Sequence, residues 1–171
     1  NPATQKPIAS FQVGTEADVD KAVKAARHAW KEWAETPAPV RGAILLRASQ
    51  IMRKRKQELG QLMVKEMGKV LKEALGDVQE GIDMFEYMAG EGRRLFGHTT
   101  PSELPNKACF TIRHPLGVVG LITPWNFPIA IPAWKIAPAL ICGNTIVFKP
   151  SSDTPLCATE LIKLIEKAGV P

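Results

Sequence analysis

The chain has 171 residues, 45% of them apolar and 23% charged, a globular composition long enough for one sizeable core. No run approaches the roughly 20 apolar residues of a membrane span, and the first residue is Asn1 with no basic and apolar leader after it, so the natural start is expected to lie outside this sequence. The net charge of +5 is accounted for between Arg47 and Lys72, where eight Lys or Arg face two Glu among Leu, Ile and Met, which reads as a solvated helix face and not a nucleic-acid footprint.

Thr15-Glu16-Ala17-Asp18 offers a capping threonine with an acid three residues on, and Val19, Ala22, Val23, Ala26, Ala29, Trp30 and Trp33 then recur at helical spacing. This predicts an amphipathic helix ending near Pro37. A second helical stretch is expected from about Pro39 through Met67 to Gly68, and a third from Leu71 to Phe96. The prolines and polar turn residues of 99–106 mark a break between this helical front and the remainder of the chain. Short β-favouring runs then cover Ala108 to Arg113 and Val118 to Thr123, followed by an apolar helix from Pro128 to Ile141, a strand over Asn144 to Lys149 and a helix over Thr154 to Ala168. The fold class is α/β. Apolar strands alternating with helices predict a parallel sheet covered on both faces.

Ligands of such sheets bind beyond the carboxyl ends of the strands. Two motifs sit there: Pro124-Trp125-Asn126-Phe127-Pro128 and, with its lysine 23 positions after Asn126, Lys149-Pro150-Ser151. The flanking prolines stiffen the first motif, so the Asn126 amide is presented from a rigid turn and can donate to developing negative charge. Gly117-Val118-Val119-Gly120 lacks the GxGxxG spacing, so a dinucleotide would be held differently from the usual Rossmann turn. Three cysteines, Cys109, Cys142 and Cys157, form no CxxC pair and read as reduced thiols of a cytoplasmic protein, Cys142 and Cys157 being expected as buried free thiols. His28, His98 and His114 are scattered, and no metal-ligand spacing is present.

These motifs, together with Trp134-Lys135, Pro138-Ala139-Leu140, Gly143-Asn144-Thr145, Glu66-Met67-Gly68-Lys69, Tyr87 to Gly92 and Gly169-Val170-Pro171, occur in an order that resembles the aldehyde dehydrogenase superfamily. The resemblance covers all of the chain and about the first third of such an enzyme. It implies an aldehyde dehydrogenase-like fold with N-terminal helices over 1–96, an oligomerisation hairpin over 97–115, and the first β-α-β-α units of a Rossmann-like sheet over 116–171, incomplete here. It implies NAD(P)-dependent oxidation of an aldehyde to a carboxylic acid through a cysteine thiohemiacetal. In that reading Asn126 stabilises the oxyanion. Ile122, Thr123, Pro124 and Trp125 flank the cofactor, Lys149 binds its adenosine ribose, and Ser151 and Ser152 complete that edge.

Ser152 stands where many NAD-specific relatives place a glutamate. A carboxylate about 4 Å from a 2′-phosphate charge costs on the order of 4 kcal/mol per charge pair at a surface-like dielectric, so its absence favours NADP, with NAD as the other choice; a helix-capping Ser152 is the bland alternative. Phe127, Ile131 and Trp134 would line the aldehyde tunnel, and Lys135 would stand behind the catalytic water. A homodimer or homotetramer is implied, with no nucleic-acid or membrane partner. Glu91-Gly92-Arg93-Arg94 is similar to relatives that oxidise dicarboxylate semialdehydes, where an arginine fork would meet a distal carboxylate.

Only 45 residues follow Asn126, and the family's nucleophilic cysteine and general-base glutamate are not among them. The chain therefore reads as part of a larger dehydrogenase. The alternative is a non-catalytic module or interaction domain that keeps the nucleotide-binding front end.

Overall fold

The computed structural model describes residues 1–171. Helix α1 (Glu16–Glu35) starts on the expected capping box: the Asp18 amide donates to the Thr15 hydroxyl and the Thr15 amide to the Asp18 carboxylate, at 3.4 and 3.0 Å. Only Trp33 of this helix is fully buried, and its indole N–H donates to the Leu140 carbonyl at 3.1 Å.

The stretch expected as one helix is two, α2 (Ala38–Lys54) and α3 (Lys56–Met67), broken at Arg55 with φ −101° and ψ 11°. Periodicity could not reveal this, because both halves carry apolar faces. The break turns α3 toward the last helix, where the Arg55 guanidinium reaches Glu160 at 3.0 Å as well as Glu58. Helix α4 (Leu71–Glu91) stops five residues short of the expected Phe96. Its end lies against the start of α2: a Cβ on Gly92 would come within 2.4 Å of the Ala38 carbonyl oxygen, and one on Gly42 within 2.4 Å of that of Ala89. Glycine at these two positions lets the helices approach more closely than any side chain allows.

The expected break at 99–106 contains strand β1 (Thr99–Pro101), antiparallel to β2 (Ala108–Phe110), with Thr99 opposite Phe110. The second strand is three residues shorter than its β-favouring run. Every residue of both strands is exposed, so no core face holds the pairing further.

Strands β3 (Val118–Ile122) and β4 (Thr145–Lys149) pair in parallel, joined by α5 (Ala130–Ile141), and α6 (Pro155–Ala168) follows. Asn144, expected as strand, ties the two strand starts instead: its side-chain oxygen accepts from the Gly117 amide at 3.0 Å and its amide donates to the Ala139 carbonyl at 3.1 Å. Helix α5 is apolar around most of its surface and sits centrally, packed on α4 and α2. The core runs through Leu45, Met52, Ile82, Phe85, Ile136 and Leu161.

Coverage of the sheet on both faces is not met within this chain. Of the strand apolar side chains only Leu121 is fully buried, Gly120 and Ile122 are exposed, and an apolar groove of about 400 Å³ runs beside β4 past Ile146, Phe148, Ile162 and Val170. Two strands supply too little width for helices to close over both sides. No helix is long and apolar enough to cross a membrane.

Candidate active site

The parallel register decides where the two motifs meet. Ile122 lies opposite Lys149, and the Thr123 amide donates to the Lys149 carbonyl at 3.3 Å, so both strands deliver their loops at the same carboxyl edge. The first loop is the 124–128 corner, in which Pro124, Trp125 and Asn126 are exposed and Pro128 is buried. The second begins at Lys149, which is exposed. A cleft of about 640 Å³ opens by these loops, lined by Trp125 and Asp153 together with Lys6 and Glu66; Asn126 and Lys149 themselves do not line it.

The corner is held from beneath by two residues whose roles went unseen in the sequence. Lys69, two residues past the end of α3, donates from Nζ to the Asn126 carbonyl at 2.8 Å and to Asp77 Oδ2 at 3.0 Å, and lies 3.7 Å from the centre of the Phe127 ring. The other carboxylate oxygen, Asp77 Oδ1, accepts from the Ala130 amide at 2.7 Å. The two side chains are 8% and 0% exposed. Burial pushes the Asp77 carboxyl above its ordinary value, opposed by its bonds from Ala130 and Lys69. A signal for Asp77 existed: an acid on the same stripe of α4 as Ala74, Val78, Gly81 and Ile82 must find a partner inside. Lys69 carried none beyond its place after Gly68.

Phe127 and Trp134 stack with centroids 6.5 Å apart and planes 28° apart. Trp134 is 40% exposed and Ile131 half-buried, so with Phe127 they make an apolar pad next to Asn126, one wall of a tunnel and not a closed one. Lys135 is exposed beside them.

On the cofactor edge, Ile122 is 77% exposed while Thr123 is buried, its hydroxyl left without a hydrogen-bond partner. The Ser151 hydroxyl accepts from the Asp153 amide at 3.2 Å. Ser152 is exposed and does not cap α6. That task falls to Glu66 across the fold, whose carboxylate accepts from the Leu156 and Cys157 amides at 2.6 and 2.8 Å. The bland reading of Ser152 as a helix cap is thereby excluded.

Cys157 is buried as expected, and burial, reinforced by Glu66, pushes its thiol far above the ordinary value, which removes it as a nucleophile. Cys142 corrects the expectation of a buried thiol: it is exposed, because it follows the last buried turn of α5. Arg94 pairs with Glu91 at 2.6 Å, at the far end of α4. At 1.5 Å per residue that end is about 20 Å along the helix from Asp77. The geometry of this chain therefore gives the arginine fork no support at the Asn126 corner.

The sequence profile described as the Aldehyde dehydrogenase family matches residues 1–171. Among curated relatives, 2,5-dioxopentanoate dehydrogenase of Saccharolobus solfataricus is 44% identical over 172 residues, spanning 100% of this chain and 36% of that protein. The alpha-ketoglutaric semialdehyde dehydrogenase of Bacillus subtilis is also 44% identical, over 100% of this chain and 35% of that protein. The chain thus spans about a third of the length of the curated relatives it matches.

Among solved structures, 3,6-anhydro-L-galactose dehydrogenase in complex with NADP superposes with a TM-score of 0.92 at 41% identity, covering 98% of this chain and 35% of that one. An NAD-dependent benzaldehyde dehydrogenase from Corynebacterium glutamicum gives a TM-score of 0.91 at 38% identity, covering 96% and 36%. The two-strand parallel edge, the helical front and the match along the whole sequence have one origin: this chain belongs to the aldehyde dehydrogenase family.

Proposed function

We propose that the whole protein oxidises a semialdehyde bearing a distal carboxylate to the corresponding dicarboxylate, using NADP in preference to NAD, and that this chain supplies the oxyanion amide and one edge of the cofactor site. The observation that carries this reading is the strand register that sets Ile122 against Lys149, because it puts the asparagine loop and the lysine loop on one carboxyl edge. The substrate class draws on the names of the relatives: 2,5-dioxopentanoate is an aldehyde at one end and a carboxylate at the other.

The residues present fit a dinucleotide. Exposed Lys149 has no acidic partner, exposed Ser152 brings no negative charge, and the buried Thr123 hydroxyl is an unused donor at the strand end. Lys149 and Ser152 would meet the adenosine ribose, with Ser151 alongside and 122–125 along the cofactor. When bound, the nicotinamide accepts the hydride. The work of this chain is to orient and to stabilise: the Asn126 side-chain amide donates to the oxygen that gains charge when a thiolate from the remainder of the protein adds to the aldehyde. Phe127, Ile131 and Trp134 keep water from that side, and Lys135 stands near the hydrolytic water.

Two measurements on the full-length protein test the reading. Equilibrium titration with both cofactors is expected to give tighter binding of NADP, and NAD binding at least about tenfold tighter would remove that preference. Catalytic efficiency is expected to be higher for succinate semialdehyde and 2-oxoglutarate semialdehyde than for simple aliphatic aldehydes. Preference for the uncharged aldehydes would remove the substrate class.

A further inference from the structure

We propose that Lys69 and Asp77 are a positioning pair for the proposed reaction, locking the backbone of 126–130 so that the Asn126 amide is aimed before substrate arrives. This inference rests on the aldehyde-oxidising reading above. The geometry is that of a clamp with one jaw at each end of a short segment. Lys69 takes the carbonyl of Asn126 at 2.8 Å, and Asp77 takes the amide of Ala130 at 2.7 Å. The jaws are joined through the 3.0 Å ion pair, and the Phe127 ring packs against the ammonium between them.

Helix α5 has no cap of its own at this end, because its N-cap residue is Ile129, so Asp77 on α4 provides the acceptor. The Asn126 carbonyl belongs to the peptide plane that leads directly from the Cα bearing the amide side chain. Holding that plane restricts the directions the side chain can take. A neutral donor contributes to a transition state only as far as it is aimed beforehand.

Stability alone accounts poorly for this arrangement. A buried ion pair is often no better for stability than an apolar pair of the same volume. Yet these two charges are spent on the backbone of the proline-flanked loop at the proposed site, and not on the core around them. Neither side chain is placed to touch substrate, so their effect would pass through Asn126.

The experiment uses the full-length enzyme, the double variant Lys69→Met/Asp77→Asn, and the same pair of changes in an Asn126→Ala background. The double variant removes both charges, keeps volume, and leaves an oxygen acceptor for the Ala130 amide. Rapid-mixing measurement of reduced cofactor separates the rate constant of hydride transfer from the burst amplitude. The expected result is an about 10- to 100-fold lower rate constant with amplitude and cofactor KM retained, and less than about twofold further loss once Asn126 is already alanine. Equal losses in both backgrounds, or a smaller amplitude at an unchanged rate constant, would overturn the proposal.

A crystal structure of the double variant gives a readout independent of turnover. The 125–128 backbone should be displaced or adopt several conformations; an unchanged single conformation would overturn the proposal as well. If the unmodified enzyme oxidised no aldehyde, the functional reading would fail, and the variant's crystal structure would then decide the positioning claim by itself.

Discussion

Asparagine at position 126 is suited to its proposed task because its amide is neutral. It costs little to hold in a dry site, and it gains strength only when an oxygen facing it acquires charge. Asn126→Ala in the full-length protein should lower the hydride-transfer rate constant by about 10² to 10³, or roughly 3 to 4 kcal/mol, with little change in cofactor affinity. Asn126→Asp should do worse than alanine, since a carboxylate there repels the oxyanion. An alanine variant within about twofold of the parent would remove Asn126 from the chemistry. The corner around it was legible in the sequence because two prolines announce rigidity. The clamp under it was not, since Lys69 and Asp77 meet only after α3 and α4 have packed against the start of α5.

Between elements, charged side chains join helices at several places, among them the start of α6 and the α2–α3 junction. The start of α6 carries no side-chain cap, and Glu66 on α3 takes its first free amides. Glu66→Ala should therefore destabilise the fold by about 0.5 to 2 kcal/mol in chemical denaturation, as loss of a cap does, and Glu66→Gln by less. No change in the denaturation midpoint would mean that water replaces the cap at no cost.

The second place is the α2–α3 junction, where Arg55 and Lys163 share the Glu160 carboxylate. Lys163 first, then Arg55, holds the Glu160 carboxyl below its ordinary value, although burial works the other way. A depressed folded-state pKa contributes stability that is present above the unfolded value and lost as pH falls through the folded one. Glu160→Gln should therefore lower stability by about 0.2 to 1 kcal/mol near neutrality, and the difference from the parent should close below about pH 4. A gap that persisted into acid would point to packing instead of charge.

Across the molecule, both strands of the β1–β2 hairpin are exposed, with Phe110 at 70% exposure and Ile112, two residues beyond β2, at 63%. We propose that these apolar side chains contact a second copy in the whole protein, as the resemblance implies. In the full-length protein, Phe110→Asp should lower the mass seen by analytical ultracentrifugation toward the monomer, and an unchanged mass would clear the hairpin of that role. The apolar groove beside β4 and the exposed Ile122 leave the sheet open as well.

Read alone, the sequence determined the α/β order, the capping box at Thr15, the two motifs at strand ends and, through their long ordered match, the family. These are local signals: periodicity, capping chemistry and proline stiffness act over a few residues, and so survive in a linear text. Tertiary structure alone decided the break at Arg55, the exposure of Cys142, the capping of α6 by Glu66 and the clamp of Lys69 and Asp77 on the Asn126 corner. The Glu66 cap and the Lys69–Asp77 clamp above all depend on groups far apart in the chain, whose contact energies exist only once the helices have docked.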